Sequence, residues 1–245
     1  MLRILAALLW AAALALAPAA HADSPFTPEQ RAEIVDILRQ ALKADPSILR
    51  DAVEALQRDE AQKEENAARA VIAGLRDQLL HKSGDPTGGN PNGDVTLVEF
   101  YDVRCPFCRG MLPVEAELLK RDRNLRVVFK DIPILGPASV LGARAVLAAQ
   151  RQDAFQKLHD ALMAGTPNID LEVVHKAAVK LGLDWPRLQH DMEDPAVQAR
   201  INDNLAMAHT LHIDGTPTYV IGDRMLSGAV ELAELQSAVA AARKK

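Results

Sequence analysis

From residue 27 to about residue 82 the apolar positions recur every three or four residues, the period of an amphipathic helix. Thr27-Pro28-Glu29-Gln30 supplies an N-cap, a proline at the first helical position and a capping-box glutamine, so a helix starts there. Asp45-Pro46 repeats the start signal and predicts a second helix, with Ile48, Leu49, Ala52, Val53 and Leu56 on one face. After the charged interval Asp59 to Glu65, the residues Ala68, Val71, Ile72, Leu75 and Leu79 resume the same spacing. That interval reads as a solvated face of one continuing helix, with a hinge as the alternative. A helix over 46–82 is about 55 Å long and too narrow to bury its own stripe. The stripe needs a partner surface, either copies of itself or the domain that follows.

The period changes beyond residue 83. Gly84 to Gly93 holds four glycines and two prolines, and 84–94 is expected to be a linker. Val95 to Tyr101 reads as a buried strand, Pro106 to Arg121 as a helix and 125–130 as a second strand. Helical periodicity then runs from 137 to about 190, and Asp194-Pro195 starts another helix reaching about Leu211. A short hairpin over 218–221 and 224–226 turns at Gly222-Asp223, and 230–241 closes with a helix. Two β-containing halves with helices between them predict an α/β fold over 95–245, carrying a helical insertion at about 137–190.

Composition sharpens this division. Residues 23–83 contain one aromatic residue (Phe26), one glycine (Gly74), no cysteine, and nine basic against twelve acidic side chains. A long, aromatic-poor segment set apart in this way is expected to be a helical oligomerisation arm. Residues 1–22 read as a secretory signal: Arg3 is the only charge, Ile4 to Ala17 is apolar, and Ala20-His21-Ala22 is a small-x-small cleavage site. The apolar run is shorter than the roughly 20 residues needed to span a bilayer. Export to an oxidising compartment, the periplasm, is the expectation, and such a compartment permits disulfides. The whole chain of 245 residues is 49% apolar and 25% charged, as a globular protein is, and its net charge of −5 leaves no electrostatic footprint for nucleic acid.

The two cysteines sit in Cys105-Pro106-Phe107-Cys108, between a predicted strand and the start of a predicted helix. There the free N–H groups and the helix dipole favour a thiolate on Cys105, while Pro106 loses nothing by lacking an N–H. The spacing lets Cys108 attack a mixed disulfide held on Cys105, so the pair can cycle between dithiol and disulfide without any other cofactor. A zinc site would need four ligands, and neither a second CxxC nor a paired histidine accompanies this one, so no metal is expected. A purely structural disulfide would close a very small loop and stabilise little.

Val98-Glu99-Phe100-Tyr101-Asp102, then Cys105 to Cys108, then Gly215-Thr216-Pro217-Thr218-Tyr219-Val220 more than 100 residues later, resemble the DsbA family of thioredoxin-fold proteins. Within it the chain is most similar to the Com1-like and ScsC-like branch, whose members carry an N-terminal oligomerisation arm. The resemblance covers roughly 85–245 and implies a thioredoxin-like fold with an inserted helical domain. It implies Cys105 as the nucleophile, Cys108 as the resolving cysteine, and Thr216-Pro217 as a cis-proline loop that receives an extended substrate. Glu99 stands where the family has a buried acid that helps move the proton of the resolving thiol; a solvent-reaching side chain is the alternative. Asp102 reads as a loop or cap residue, and Arg104 and Arg109 as basic neighbours of the motif. Pro106 and Phe107 flank the thiols, and Phe107 departs from the strong oxidases of the family, which usually have histidine there. A phenyl ring holds no thiolate, so a weaker oxidant is expected.

Three functions follow from these readings. The first is a periplasmic protein that isomerises or reduces wrong disulfides in exported clients, acts as a homo-oligomer through residues 23–83, and is kept reduced by a membrane partner of the DsbD or ScsB type. The second is a DsbA-like oxidase reoxidised by a DsbB-type partner. The third is a client- or copper-binding module without turnover.

Overall fold

The capping signals at Thr27 and Asp45 act as their chemistry requires. In the computed structural model, which describes residues 26–244, Thr27 Oγ1 accepts from the Gln30 N–H and the Gln30 side chain accepts from the Thr27 N–H. Helix α1 (Pro28–Ala44) follows, and Asp45 then accepts from both the backbone and the hydroxyl of Ser47 to open α2 (Ser47–Leu80). The expected signal sequence at 1–22 lies outside the described residues. The chain divides into a first unit ending at Glu60 and a second beginning at Ala61. In the first unit α1 buries none of its residues, and Ile37, Leu38, Ile48, Leu49, Val53 and Leu56 all face solvent. Helix α2 runs without a break through the charged interval Asp59 to Glu65.

The second unit is built on a five-stranded sheet. Its strands are β1 (Thr87–Gly89), β2 (Val95–Tyr101), β3 (Leu125–Asp131), β4 (Thr218–Ile221) and β5 (Arg224–Ser227), in the order β1-β3-β2-β4-β5. Helix α3 (Pro106–Arg121) crosses between the parallel pair β2 and β3, while β1, β4 and β5 each pair antiparallel with their neighbours. Strand β1 falls inside 84–94, the segment expected to be a linker. Its two glycines masked the strand, which is fixed by pairing with β3 rather than by side-chain propensity.

The strand period of two sorts the core. Leu97 and Tyr101 of β2 point to one face with Val127, Phe129 and Tyr219, where α3 and the closing helix α9 (Leu232–Arg243) cover them. Val98 and Phe100 point to the other face with Val128 and Val220. That second face is covered by Ile72 and Leu79 of α2 together with Met207, Ala208 and Leu211 at the end of α8 (Pro195–Thr210). The C-terminal part of α2, expected to belong wholly to an arm ending at 83, is therefore also core of the second unit. Both halves of the α2 stripe have the same spacing, and only the second meets a sheet.

The expected helical stretch over 137–190 is four α-helices: α4 (Pro137–Ala149), α5 (Phe155–Ala164), α6 (Leu171–Lys180) and α7 (Trp185–Met192). Helix α4 is buried nearly all round. A Cβ on Gly142 would lie 2.5 Å from the Val103 side chain, so glycine lets α4 approach the segment leading into Cys105.

One ion-pair cluster ties the second face together. Lys130 of β3 is fully buried; its Nζ donates to Asp85 Oδ2 at 2.5 Å and to the Gln78 carbonyl at 3.0 Å. Arg200 donates to Asp85 Oδ1 at 2.6 Å and to the Ser83 carbonyl at 2.8 Å. The Asp85 carboxylate, on the approach to β1, thus joins β3 to α8, and Lys130 also holds the end of α2. Removing one partner leaves a buried charge uncompensated, which costs about 3–5 kcal/mol. Asp85→Ala is expected to destabilise the protein by about that amount in urea unfolding, and Asp85→Leu with Lys130→Met to recover only part of it, because Arg200 still loses its carboxylate.

Candidate active site

Strand β2 ends at Tyr101, and Asp102 shapes the turn into α3. Its Oδ1 accepts from the Arg104 N–H at 2.8 Å, its Oδ2 from the Leu135 N–H at 3.0 Å, and its carbonyl from the Cys105 N–H at 2.9 Å. Cys105 is then the N-cap of α3, with Pro106 at the first helical position and no side-chain cap, so the leading N–H groups of the helix stay available to a sulfur anion. Asp102 is the loop residue expected. Arg104 and Arg109 are engaged elsewhere: Arg104 donates to the carbonyls of Pro167 and Leu135, and Arg109 to those of Leu162 and Gly165. Both brace the helical insertion against the motif.

Both cysteines are free thiols. Cys108 is fully buried and Cys105 nearly so, while Phe107 between them is 62% exposed. The Thr216-Pro217 peptide is cis. Its loop faces the thiols, with the Thr216 carbonyl accepting from Cys105 Sγ at 3.2 Å. Thr218 Oγ1 donates to the Gly215 carbonyl, and the Pro217 carbonyl accepts from Gly228 N–H, which fixes the loop from both ends. Cys105, Cys108, Thr216 and Pro217, more than 100 residues apart in sequence, therefore meet at one place.

Glu99 is 1% exposed, with both carboxyl oxygens buried and, among the described residues, no N–H group donating to them. A solvent-reaching side chain is thereby excluded. Burial foremost, then the charge of Glu115, holds the Glu99 carboxyl well above the usual carboxylate range. Burial likewise pushes the Cys108 thiol up, with Glu99 adding to the effect and the Asp102 backbone opposing it. A thiolate forms at Cys108 only if its proton has somewhere to go. Glu115 and Tyr219 belong to the same cluster, although sequence reasoning gave neither a role. Glu115 lies seven residues after Cys108, on the same helical face as Cys108 and Met111, and that spacing was the available signal.

Such a site can perform thiol–disulfide exchange: a sulfur at a helix N-terminus set against the cis-proline loop, a fully buried second sulfur three residues on, and a backbone carbonyl held against the first. Residues 96–240 match the family model of the DSBA-like thioredoxin domain. The chain belongs to this family.

Among solved structures this DSBA-like chain is similar to a thioredoxin-like oxidoreductase from Silicibacter pomeroyi, at 42% identity and TM-score 0.68, covering 69% of this chain and 98% of that one. It is also similar to Proteus mirabilis ScsC in a transitional conformation, at 28% identity and TM-score 0.66, covering 90% and 98%. Among curated proteins it is 30% identical over 160 residues to a Na(+)/H(+) antiporter NhaA of Salinispora tropica, covering 64% of this chain. The chain spans about 24% of the length of that relative. Among the described residues no helix is long and apolar enough to cross a membrane.

The state of Glu99 sets a pH dependence. Its carboxyl holds a proton in the folded protein at pH values where the unfolded chain, with the ordinary value of 4.5, has released it. Proton release thus favours the unfolded chain, and this group's contribution to stability is lost as pH rises from the unfolded value towards the raised folded one. Glu99→Gln is expected to melt at the wild-type temperature near pH 4 and above it at neutral pH, as followed by circular dichroism.

Proposed function

We propose that this protein is a periplasmic thiol–disulfide oxidoreductase that isomerises or reduces non-native disulfides in exported clients. The observation that carries the reading is the meeting of Cys105 with the Thr216-Pro217 loop, in front of a fully buried Cys108. In the proposed step the Cys105 thiolate attacks one sulfur of a client disulfide. A Cys105–client mixed disulfide forms, and the other client sulfur leaves as a thiolate that takes up a proton. A second client thiolate can displace Cys105, which completes isomerisation with no net electron transfer. Alternatively Cys108, having lost its proton, attacks Cys105 Sγ; the client leaves reduced and the Cys105–Cys108 disulfide takes the oxidised state. A membrane reductase of the DsbD or ScsB type would return that disulfide to the dithiol. Pro217 and the exposed Phe107 would meet the client.

Two features support isomerase or reductase over oxidase. Phe107 can neither donate a hydrogen bond to a thiolate nor carry charge, so the reduced form gains no help from it. The exposed apolar stripe of α1 and of α2 as far as Leu56 offers a surface for homo-oligomers, in which several sites would face one misfolded client.

Reactivation of scrambled ribonuclease by the reduced full chain tests the reading. Wild type is expected to restore activity, and Leu38→Glu with Leu56→Glu, which changes only exposed positions, to lower both the mass in light scattering and the reactivation. Rapid oxidation of reduced ribonuclease by the disulfide form, without reactivation of scrambled enzyme, would instead identify a DsbB-coupled oxidase.

The identity of residue 107 has its own expected outcome. Phe107→His supplies a group that stabilises the thiolate of the reduced form. It is expected to shift the equilibrium with glutathione towards the dithiol by about tenfold, a change of about 30 mV for a two-electron couple.

A further inference from the structure

The exchange proposed above leaves one proton without an exit. When a client occupies the Cys105–Pro217 face, Cys108 is covered from that side, and it must still lose its proton before it can attack Cys105. Glu99 is an acid that acts on this thiol, but both of its oxygens are buried. The far side of the same cluster is different. Register pairs Glu99 directly with Tyr219 across β2 and β4, so both side chains leave the sheet on the face covered by α3. The Tyr219 hydroxyl donates to Glu115 Oε1 at 2.6 Å and holds that carboxyl in hydrogen-bonding reach of Glu99. Glu115 is only partly buried, and it lines a cavity of about 530 Å³ together with Gly88, Gln156 and Asp160. Thr87, Ala116 and Gln156 on its wall are exposed, so the cavity opens at the surface between β1, α3 and α5.

We propose that Glu115 is a positioning residue that passes protons between buried Glu99 and this open cavity, giving the resolving thiol a route to water behind the client-binding face. The proposal rests on the exchange reading above. The Cys108 S–H bond breaks and its proton passes to the Glu99–Glu115 carboxyl pair. The sulfur keeps the electron pair and uses it to form the bond to Cys105 Sγ, and the Cys105–client bond breaks to release client thiolate. Glu115 then returns the proton to solvent through the cavity.

The arrangement explains an otherwise awkward feature. As two carboxylates the pair would be unsatisfied and mutually repelling, whereas one shared proton supplies the donor that Glu99 lacks. Burial holds both carboxyls above their ordinary range, and Tyr219 and His159 partly offset this at Glu115. The other titratable groups facing the pair are Tyr101 from β2, Asp131 from β3, Asp160 from α5 and Cys108 itself.

The test mixes the reduced full chain with a fluorescent peptide disulfide in stopped flow, from about pH 4 to about pH 8. The first peptide thiol reports attack by Cys105 and the second reports resolution by Cys108. Glu115→Gln is expected to leave the first phase at the wild-type rate and to slow the second by about tenfold, the low end of general acid–base effects. The acid limb of the second phase should also move down in pH, because the amide introduced by Glu115→Gln donates to a Glu99 carboxylate. Tyr219→Phe, which frees Glu115 without changing its charge, should slow the second phase less; it carries the same test if Glu115→Gln does not fold. An unchanged second phase and pH profile in both variants would overturn the relay. So would equal slowing of both phases with a lower melting temperature, which marks a structural role. Absence of both phases in the wild type would overturn the exchange reading itself.

Discussion

Strand β2 is hydrogen-bonded on both sides and covered on both faces, and the chain places a carboxyl group in the middle of it. Everything near the thiols answers to that constraint. Glu99 cannot reach water by changing rotamer, since its oxygens lie inside the layer that also holds Tyr101, Leu97 and Tyr219. An isolated carboxylate there would be costly to bury, so the group keeps a proton. Keeping it requires a partner, which Glu115 supplies from α3. The same helix begins at Cys105 and buries Cys108 on its first turn, so one helix carries the sulfur at its N-terminus, the second sulfur and the second acid. The thiols and acids are therefore positioned by one packing contact, that of α3 on β2.

Much of this was legible in the chain, and the parts that were not have physical reasons. The βαβ order follows from strand alternation, while the cis-proline segment and a buried acid at Glu99 are what the resemblance to the DsbA family implies. Strand β1 was not legible because Thr87-Gly88-Gly89 carries no strand preference; its existence depends on β3, some 40 residues away. Glu115 was hidden for another reason. A single acid on an amphipathic helix ordinarily reads as solvated face; its spacing from Cys108 hints otherwise, and the bond from Tyr219, set opposite Glu99 by the register of β2 and β4, shows that this one faces inward. Asp85 was likewise read as linker, although it closes the cluster around Lys130.

Helix α2 shows the limit of periodicity most directly. Ile48, Leu49, Val53 and Leu56 have the spacing of Val71, Ile72, Leu75 and Leu79, and no property of either set tells which will be covered. The second set meets the sheet face made by Val98, Phe100 and Val128, and Lys130 binds the Gln78 carbonyl to lock it there. The first set meets no such face and remains exposed. A helical stripe specifies that a partner is needed; the identity of the partner is set by tertiary structure.

The electrostatics of the cluster bear on which exchange the site favours. The buried thiol at Cys108 resists ionisation, whereas Cys105 sits at a helix N-terminus with the leading N–H groups free. In the proposed exchange Cys105 makes the first attack, and resolution by Cys108 waits on a proton transfer. A mixed disulfide that waits remains open to a second client thiol, and capture by that thiol reshuffles the bond without oxidising the protein. A faster proton exit from Glu99 shortens the wait and turns the same site towards reduction. On the proposed reading, the balance between isomerisation and reduction is therefore decided on the cavity side of the sheet, by how readily Glu115 hands a proton to water, as much as by the residues that touch the client.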